Sequence, residues 1–327
     1  MTTALIVGVG EVGVRAARQL VDTPTIDQVL IADRDRKRAS RLADSLGKQA
    51  SAIDVHDDLP AGIDVVATAL PRTSDAEIVQ HAIEAGVPCA SSDDDAEAVA
   101  VLEGLDDLAK QRGVTVALSC GLAPGLTDVL ALHAADTFDE VSEIRVARTG
   151  WGGPACQASV RRARHQPALE WHDEHWRDDQ PSGEQLMWFP EPIGARDCCV
   201  VATGVRTLVS AFPHVPRLSF ALGEPPKRSM VRRRFGDDGE WGAARVEVWG
   251  RNDHGQDCLV YGVVERTSVA AGAVLAVAAA RLAGAIGANV AKPGVHGLGS
   301  LVEPVPFLAE LAQRGVRAAV FEGVPVA

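Results

Sequence analysis

The sequence predicts an α/β chain, a doubly wound parallel sheet followed by a second α+β domain with a mixed or antiparallel sheet. Three observations carry this. Over the first 120 residues short apolar runs alternate with helical patterns, which calls for right-handed crossovers and parallel pairing. From about Val141 to Thr267 apolar and polar residues alternate with a period of two instead. Between the two regimes stands a turn rich in small residues, "SCGLAPG" at 119–125.

Each element follows from a local signal. "ALIVGVG" is an apolar strand ending in glycine, and "VGVRAARQLVD" after it has helical spacing. "DQVLIADRD" is a second strand, and "RDRKRASRLADSLG" a helix with polar outer positions and a stop at Gly47. "ASAIDV" and "IDVVATALP" are the third and fourth strands. "SDAEIVQHAIEAG" is a helix, with Ser74 or Asp75 expected as its N-cap and Gly86 as its stop. "VPCASS" is the fifth strand, "DAEAVAVLEGLDDLAKQRG" one helix, and "VTVALSC" the sixth strand. Beyond these, "SEIRVART", "ARVEVWGRND" and "QDCLVYGVVERT" read as strands, the last two as a hairpin turning around Asn252 to Gln256. "SVAAGAVLAVAAARLAGAIG" is a small-residue helix suited to close packing, and "PVPFLAELAQRGVRAAVFEG" a helix and a short strand. "PPKRSMVRRRFGDDGE" is the most loop-like stretch.

The chain of 327 residues is long enough for two ordinary domains, and its 46% hydrophobic and 23% charged residues are those of a soluble globular protein. A formal net charge of −12 argues against a general nucleic-acid binder, which needs a basic face. The longest apolar run, Val269 to Ala280, ends at Arg281 and is too short to span a bilayer. The start "MTTALIVGVG" lacks the positive region of a signal peptide, and six cysteines without a C-x-x-C pair suit reduced thiols. The expectation is a cytoplasmic protein with a small-molecule substrate, no nucleic-acid partner and no membrane contact.

Gly8, Gly10 and Gly13 form G-x-G-x-x-G in "GVGEVG", with Val9, Glu11 and Val12 between them. The pattern follows a strand and opens a helix, and Asp33 ends the next strand at the spacing of a dinucleotide fingerprint. In that fingerprint Gly8 allows the tight turn, Gly10 lets a pyrophosphate reach the backbone, and Gly13 lets helix pack on strand. The pyrophosphate then sits on the helix N-terminus. Asp33 suits the ribose hydroxyls of NAD, whereas Arg34 suits adenine or the 2′-phosphate of NADP; both cofactors stay open, with a slight lean to NAD. Asp54 and Val55 are expected beside adenine, and Ala69, Leu70 and Pro71 beside the ribose or nicotinamide. Cys120, Gly121 and Leu122 are expected at the nicotinamide.

Four passages, "VGVGEVG", "IADRDRKRASRLA", "SCGLAPGLTDVLA" and "AAGAVLAVAAARLAGAIGANVAKPGVHGL", together resemble the saccharopine dehydrogenase-like family of NAD(P)-dependent oxidoreductases, lysine 6-dehydrogenase-like members included. The resemblance implies a Rossmann domain over 1–121 and an α+β substrate and dimerisation domain over 122–292. A segment over 293–327 then packs back on the first domain, and the protein is a homodimer. It also implies hydride transfer at a C–N centre of a small amino acid-like substrate in the interdomain cleft. Members that form saccharopine or carboxynorspermidine often carry Gly-x-Asp-Pro-Gly-x-Asp-His after the sixth strand. Here Ala123, Thr127 and Asp128 occupy the side-chain positions, which speaks against those substrates.

Tyr-x-x-x-Lys chemistry is excluded, because the single tyrosine, Tyr261, has no such lysine. An amino-acid dehydrogenase needs a cation for the carboxylate and an acid/base at the nitrogen. Arg148, Arg161, Arg162 and Arg164, flanking the glycine-rich "TGWGGPAC", are candidates for the first role, Arg148 and Arg161 foremost, and Trp151 for a cleft wall. Asp128 is the candidate acid/base, against the plainer reading of a first-turn acid that suits the helix dipole. His172 and His175 in "WHDEHW" would share one face of a helix, but no third ligand is signalled and no metal is expected. The alternative function is a non-catalytic NAD(P)-binding sensor or pathway scaffold.

Overall fold

The structure is a computed structural model, described for residues 1–54, 59–71, 74–178, 183–223, 241–287 and 290–320. The chain begins with β1 (Thr3–Val7), α1 (Glu11–Val21), β2 (Gln28–Ala32), α2 (Arg36–Leu46), β3 (Ala50–Ala52), β4 (Val65–Thr68) and α3 (Ser74–Glu84). β5 (Cys89–Ser91), α4 (Ala96–Glu103), α5 (Asp106–Arg112), β6 (Thr115–Leu118), α6 (Leu126–Ala135), β7 (Glu140–Thr149) and α7 (Pro154–Ala163) follow. Next come β8 (Glu170–His172), β9 (His175–Arg177), β10 (Glu184–Phe189), β11 (Gly194–Val200), α8 (Val205–Ala211), β12 (Arg217–Gly223), β13 (Trp241–Asn252) and β14 (Gly255–Arg266). The chain closes with α9 (Thr267–Leu282), β15 (Gly294–Gly297), a 3₁₀ turn at Leu298–Ser300, α10 (Pro304–Gln313) and β16 (Ala319–Val320).

The first sheet has the order β15-β6-β5-β4-β1-β2-β3, and every pair in it is parallel. This is the doubly wound Rossmann order, with β15 added at the far edge. β1, β4 and β6 are buried along their whole length, as strands covered on both faces must be. The second sheet has the order β10-β11-β12-β7-β13-β14-β16, with β8 beside β12 and β9 beside β8. It is mixed, since β12 and β7 run parallel while β13 and β14 form an antiparallel hairpin.

The two sheets share their covering helices. α9 packs on α1 and also against β4 and β5. It can come so close because a Cβ on Gly272 would overlap Arg15 Cβ and lie 2.9 Å from the Ala16 nitrogen. So a helix from the segment expected over 122–292 covers the first sheet, β15 extends that sheet, and β16 pairs instead with β14.

Three local expectations are corrected. The helix read over 95–113 is two helices broken at Gly104 and Leu105, whose N–H groups bond back to Ala100 and Leu102 while Asp106 opens the next first turn. Asp75 does not cap α3, because it lies inside the first turn and accepts a hydrogen bond from Ser91 Oγ. His172 and His175 are not on a helix face, because they pair across a two-residue turn whose Asp173 and Glu174 both have positive φ, 49° and 63°. The loop-like stretch "PPKRSMVRRRFGDDGE" lies outside the described residues. No helix among the described residues is long and apolar enough to cross a membrane.

Candidate functional site

The turn after β1 is shaped by three glycines with three different surroundings. Gly8 has φ +99°, and a Cβ there would lie 2.5 Å from the Ala69 carbonyl oxygen and 3.0 Å from Leu70 Cδ2. A Cβ on Gly13 would overlap the Gly8 carbonyl oxygen, so α1 can start only where a hydrogen replaces it. A Cβ on Gly10 would meet nothing within 4 Å. Its missing side chain therefore leaves open space in front of the first amides of α1, where a helix N-terminus receives an anion.

The neighbouring strand and helix fix this turn. Asp33 Oδ2 accepts from the Val9 N–H at 2.7 Å, and its Oδ1 from the Asp35 N–H at 2.8 Å. Arg38 Nη2 donates to the Val9 carbonyl at 2.5 Å. Both backbone groups of Val9 are thus held, one by an acid and one by a base. Arg38 escaped the sequence reading, which looked only at the two residues ending the strand. Arg34 is exposed, and Asp54 is exposed and paired with Arg36 at 2.5 Å. Val55 lies outside the described residues. Glu11 is exposed and Val12 half-buried.

On the other half of the carboxyl edge, Ala69 and Leu70 are half-buried and Pro71 is exposed. Of the three residues expected at the nicotinamide, only Gly121 is accessible in part; Cys120 and Leu122 belong to the core. Cys120 is 0% exposed and Leu122 2%, main chain included. The 119–125 turn is closed on itself. Gly125 has φ +117°, and a Cβ there would overlap the Ser119 carbonyl oxygen and lie 2.5 Å and 2.6 Å from the Gly121 oxygen and nitrogen.

The second sheet reaches this edge through β7 and α7. Arg148, at the end of β7, donates to Asp94 Oδ2 at 2.6 Å, and Ser159 of α7 donates to the other oxygen at 3.1 Å. Arg162 pairs with Asp95 at 3.2 Å, while Asp95 Oδ1 caps α4. Asp94 and Asp95 of "DDD" at 93–95 thus clamp two arginines of the second domain; the position of this run just after the fifth strand was the available signal. Arg148 is therefore engaged by protein, although its Nε is buried without a partner among the described residues. Trp151 is half-buried, and the exposed Arg161 lies over its ring at 5.8 Å. Gly153 packs on Glu11, with a Cβ there only 3.0 Å from Glu11 Cγ. The glycine-rich stretch before α7 therefore lies directly against the start of α1.

Asp128 is wholly buried in the first turn of α6, where Gly299 packs on its Cβ and Thr127 Oγ1 donates to it at 3.3 Å. Burial pushes its carboxyl up to about 6, against the opposing pull of Thr207, Gly125 and Thr127. Burial also raises Asp75 to about 6 and Asp93 to about 8, and the Cys156 thiol to about 11, which makes that thiol a poor nucleophile. All six cysteines are free. Among the described residues no three His, Cys, Asp or Glu side chains are grouped to hold a metal. A cavity of about 350 Å³ lies elsewhere, between α6, α10 and β14, lined by Leu126, Leu130, His133 and Tyr261 among others.

Residues 4–116 match the family described as saccharopine dehydrogenase NADP binding domain. Among curated proteins, a glutamyl-tRNA reductase of Natronomonas pharaonis is 41% identical over 70 residues, which span 21% of this chain and 15% of that protein. Among solved structures, the apo L-Glu-forming saccharopine dehydrogenase of Saccharomyces cerevisiae superposes with a TM-score of 0.70 at 14% identity, covering 98% of this chain and 100% of that one. The C. glutamicum DAP dehydrogenase in complex with DAP gives 0.57 at 13% identity, over 92% and 94% of the two chains. An engineered D-amino acid dehydrogenase bound to NADP+ gives 0.55 at 14% identity, over 96% and 99%. At these identities the likeness is one of fold.

Proposed function

We infer, from the match of residues 4–116 to the family described as saccharopine dehydrogenase NADP binding domain, that the chain is an NAD(P)-dependent oxidoreductase acting at a C–N centre of a small amino acid-like substrate. The observation that carries the reading is the open space at Gly10 in a turn whose other two glycines are packed against protein. The cofactor supplies hydride acceptance and donation. Gly8 to Gly13, with Asp33 and Arg34, would hold its pyrophosphate and adenosine half, and Ala69 to Pro71 with Gly121 its nicotinamide half. Asp33 supports the lean to NAD, since a carboxylate already oriented by Val9 and Asp35 keeps lone pairs for ribose hydroxyls. Arg161 and the Arg148 Nε are the groups proposed for a substrate carboxylate, and Trp151 for a wall of the cleft. Asp128 stays the proposed acid/base, although its burial requires an opening of the turn before it meets a ligand.

The test is a screen of amino acids with NAD and NADP, and of 2-oxo acids with amines and the reduced cofactors, followed at 340 nm. Turnover on an amine or imine supports the reading. Tight cofactor binding with no turnover anywhere in the screen favours the non-catalytic sensor, a reading favoured by the burial of Asp128 and the pairing of Arg148.

A homodimer is proposed through the outer face of the second sheet. Glu143, Arg145 and Trp249 share that face by register, with Glu247 between them buried and paired with Arg245, while Ile144, Val146 and Val248 point into the core. Light scattering giving the mass of one chain would exclude it.

A further inference from the structure

Asp93 stands on the turn leaving β5, at the carboxyl edge between the ends of β4 and β6. It is 6% exposed. Its N–H donates to Ser91 Oγ at 3.1 Å, its carbonyl accepts from Ser119 Oγ at 3.4 Å, and its Oδ1 accepts from the Asp95 N–H at 3.0 Å. Oδ2 is buried with no partner among the described residues. Ser91 Oγ in turn donates to Asp75, so a second buried carboxyl, on α3, is joined through this hydroxyl to the Asp93 backbone N–H.

The charges around this group are unbalanced. Asp94 and Asp95 flank it, and Asp75 faces it from α3. The nearby cations from the second domain, Arg148 of β7 and Arg162 of α7, are paired with Asp94 and Asp95 rather than with Asp93. An ionised Asp93 would thus be a buried charge among three carboxyls, with one oxygen unsatisfied. A protonated one carries its hydrogen on Oδ2, because Oδ1 already accepts from Asp95. Burial first, and the neighbouring acids after it, hold this carboxyl up at about 8.

In a doubly wound sheet the dinucleotide lies across the carboxyl edge, its adenosine half toward β2 and its nicotinamide half toward β4 to β6. The oxidised ring carries one positive charge and the reduced ring none. We propose that Asp93 is a proton-holding counter-ion for the nicotinamide: a carboxylic acid while the site is empty or holds the reduced ring, and a carboxylate when the oxidised ring binds. The proton leaves Oδ2 for solvent, no bond to the cofactor forms, and no electrons move. The inference rests on the dinucleotide reading above. It gives the buried acid a task that Asp128, on the far side of the turn against the 3₁₀ segment, does not share.

A cation within about 4–6 Å lowers a carboxyl by about 1–3 pH units, so at pH 7 binding of the oxidised cofactor should release between about 0.4 and 0.9 proton per site. Binding of the reduced cofactor should release close to none. Calorimetric titration of the protein with NAD+, NADH, NADP+ and NADPH, in two buffers of different ionisation enthalpy, counts these protons directly. Asp93→Asn, which keeps the acceptor for Asp95, should bind both redox forms and lose the difference, whereas Asp75→Asn should retain it. Infrared spectra of wild type offer a readout that needs no variant: a carboxylic acid C=O band at pH 7 that fades with the oxidised cofactor and persists with the reduced one. Equal proton counts for the two forms would overturn the proposal, as would a difference that survives in Asp93→Asn or a band indifferent to redox state. Absence of any binding heat would overturn the dinucleotide reading itself, and this inference with it.

Discussion

Two glycine-rich turns, "GVGEVG" after β1 and "SCGLAPG" after β6, sit on the same edge of the same sheet and differ in what their glycines face. In the first, Gly8 and Gly13 are pressed against protein while a Cβ on Gly10 would meet nothing within 4 Å. In the second, Gly125 is surrounded by backbone of its own turn, and Cys120 and Leu122 are core. Glycine content alone does not separate a ligand cradle from a tightly wound connection. What a Cβ would meet does, since empty space in front of a helix N-terminus is room for an anion, and a carbonyl oxygen is not.

Substitutions in the two turns should therefore fail in different ways. The largest effect is expected for Gly125→Ala. Positive φ and overlap with fixed backbone add, so a loss of about 3 kcal/mol or more is expected, read from the urea unfolding midpoint; an unchanged midpoint would mean that this turn can relax. Next is Gly10→Trp, which fills the open space. NADH affinity should fall about 100-fold or more, equivalent to about 3 kcal/mol, while the unfolding midpoint stays near that of wild type. Unchanged fluorescence titration with NADH would remove Gly10 from the cofactor site.

The smallest effect concerns the acid just past the second turn. The folded carboxyl of Asp128 titrates at about 6, above its unfolded value near 4. The folded state thus holds the proton more tightly, and this group's contribution to stability is present below about pH 4 and lost as pH rises to about 6. Asp128→Asn should flatten the pH 4–6 part of the stability profile and gain on the order of 1–2 kcal/mol at pH 7. Asp75 titrates in the same window and Asp93 up to about 8, so the slope they add remains. Parallel profiles for variant and wild type would show that Asp128 is not destabilised by burial.

The sequence by itself determined the parallel sheet and its glycine turn, because apolar runs of strand length, helical spacing and a G-x-G-x-x-G at a strand–helix junction are local properties of neighbouring residues. It also determined the β13–β14 hairpin, where alternation and Gly255 coincide. It misread "WHDEHW", since a two-residue turn with two positive φ values was carried by Asp173 and Glu174 rather than by glycine or asparagine. Only the tertiary structure decided that Arg38 and Asp33 hold Val9 from both sides, and that α9 lies on α1. It alone showed that Arg148 is paired with Asp94 and that Asp93 keeps a buried oxygen without a partner. Each of these joins residues far apart in the chain, and burial and pairing are properties of the surroundings that close around a side chain, which no window along the sequence contains.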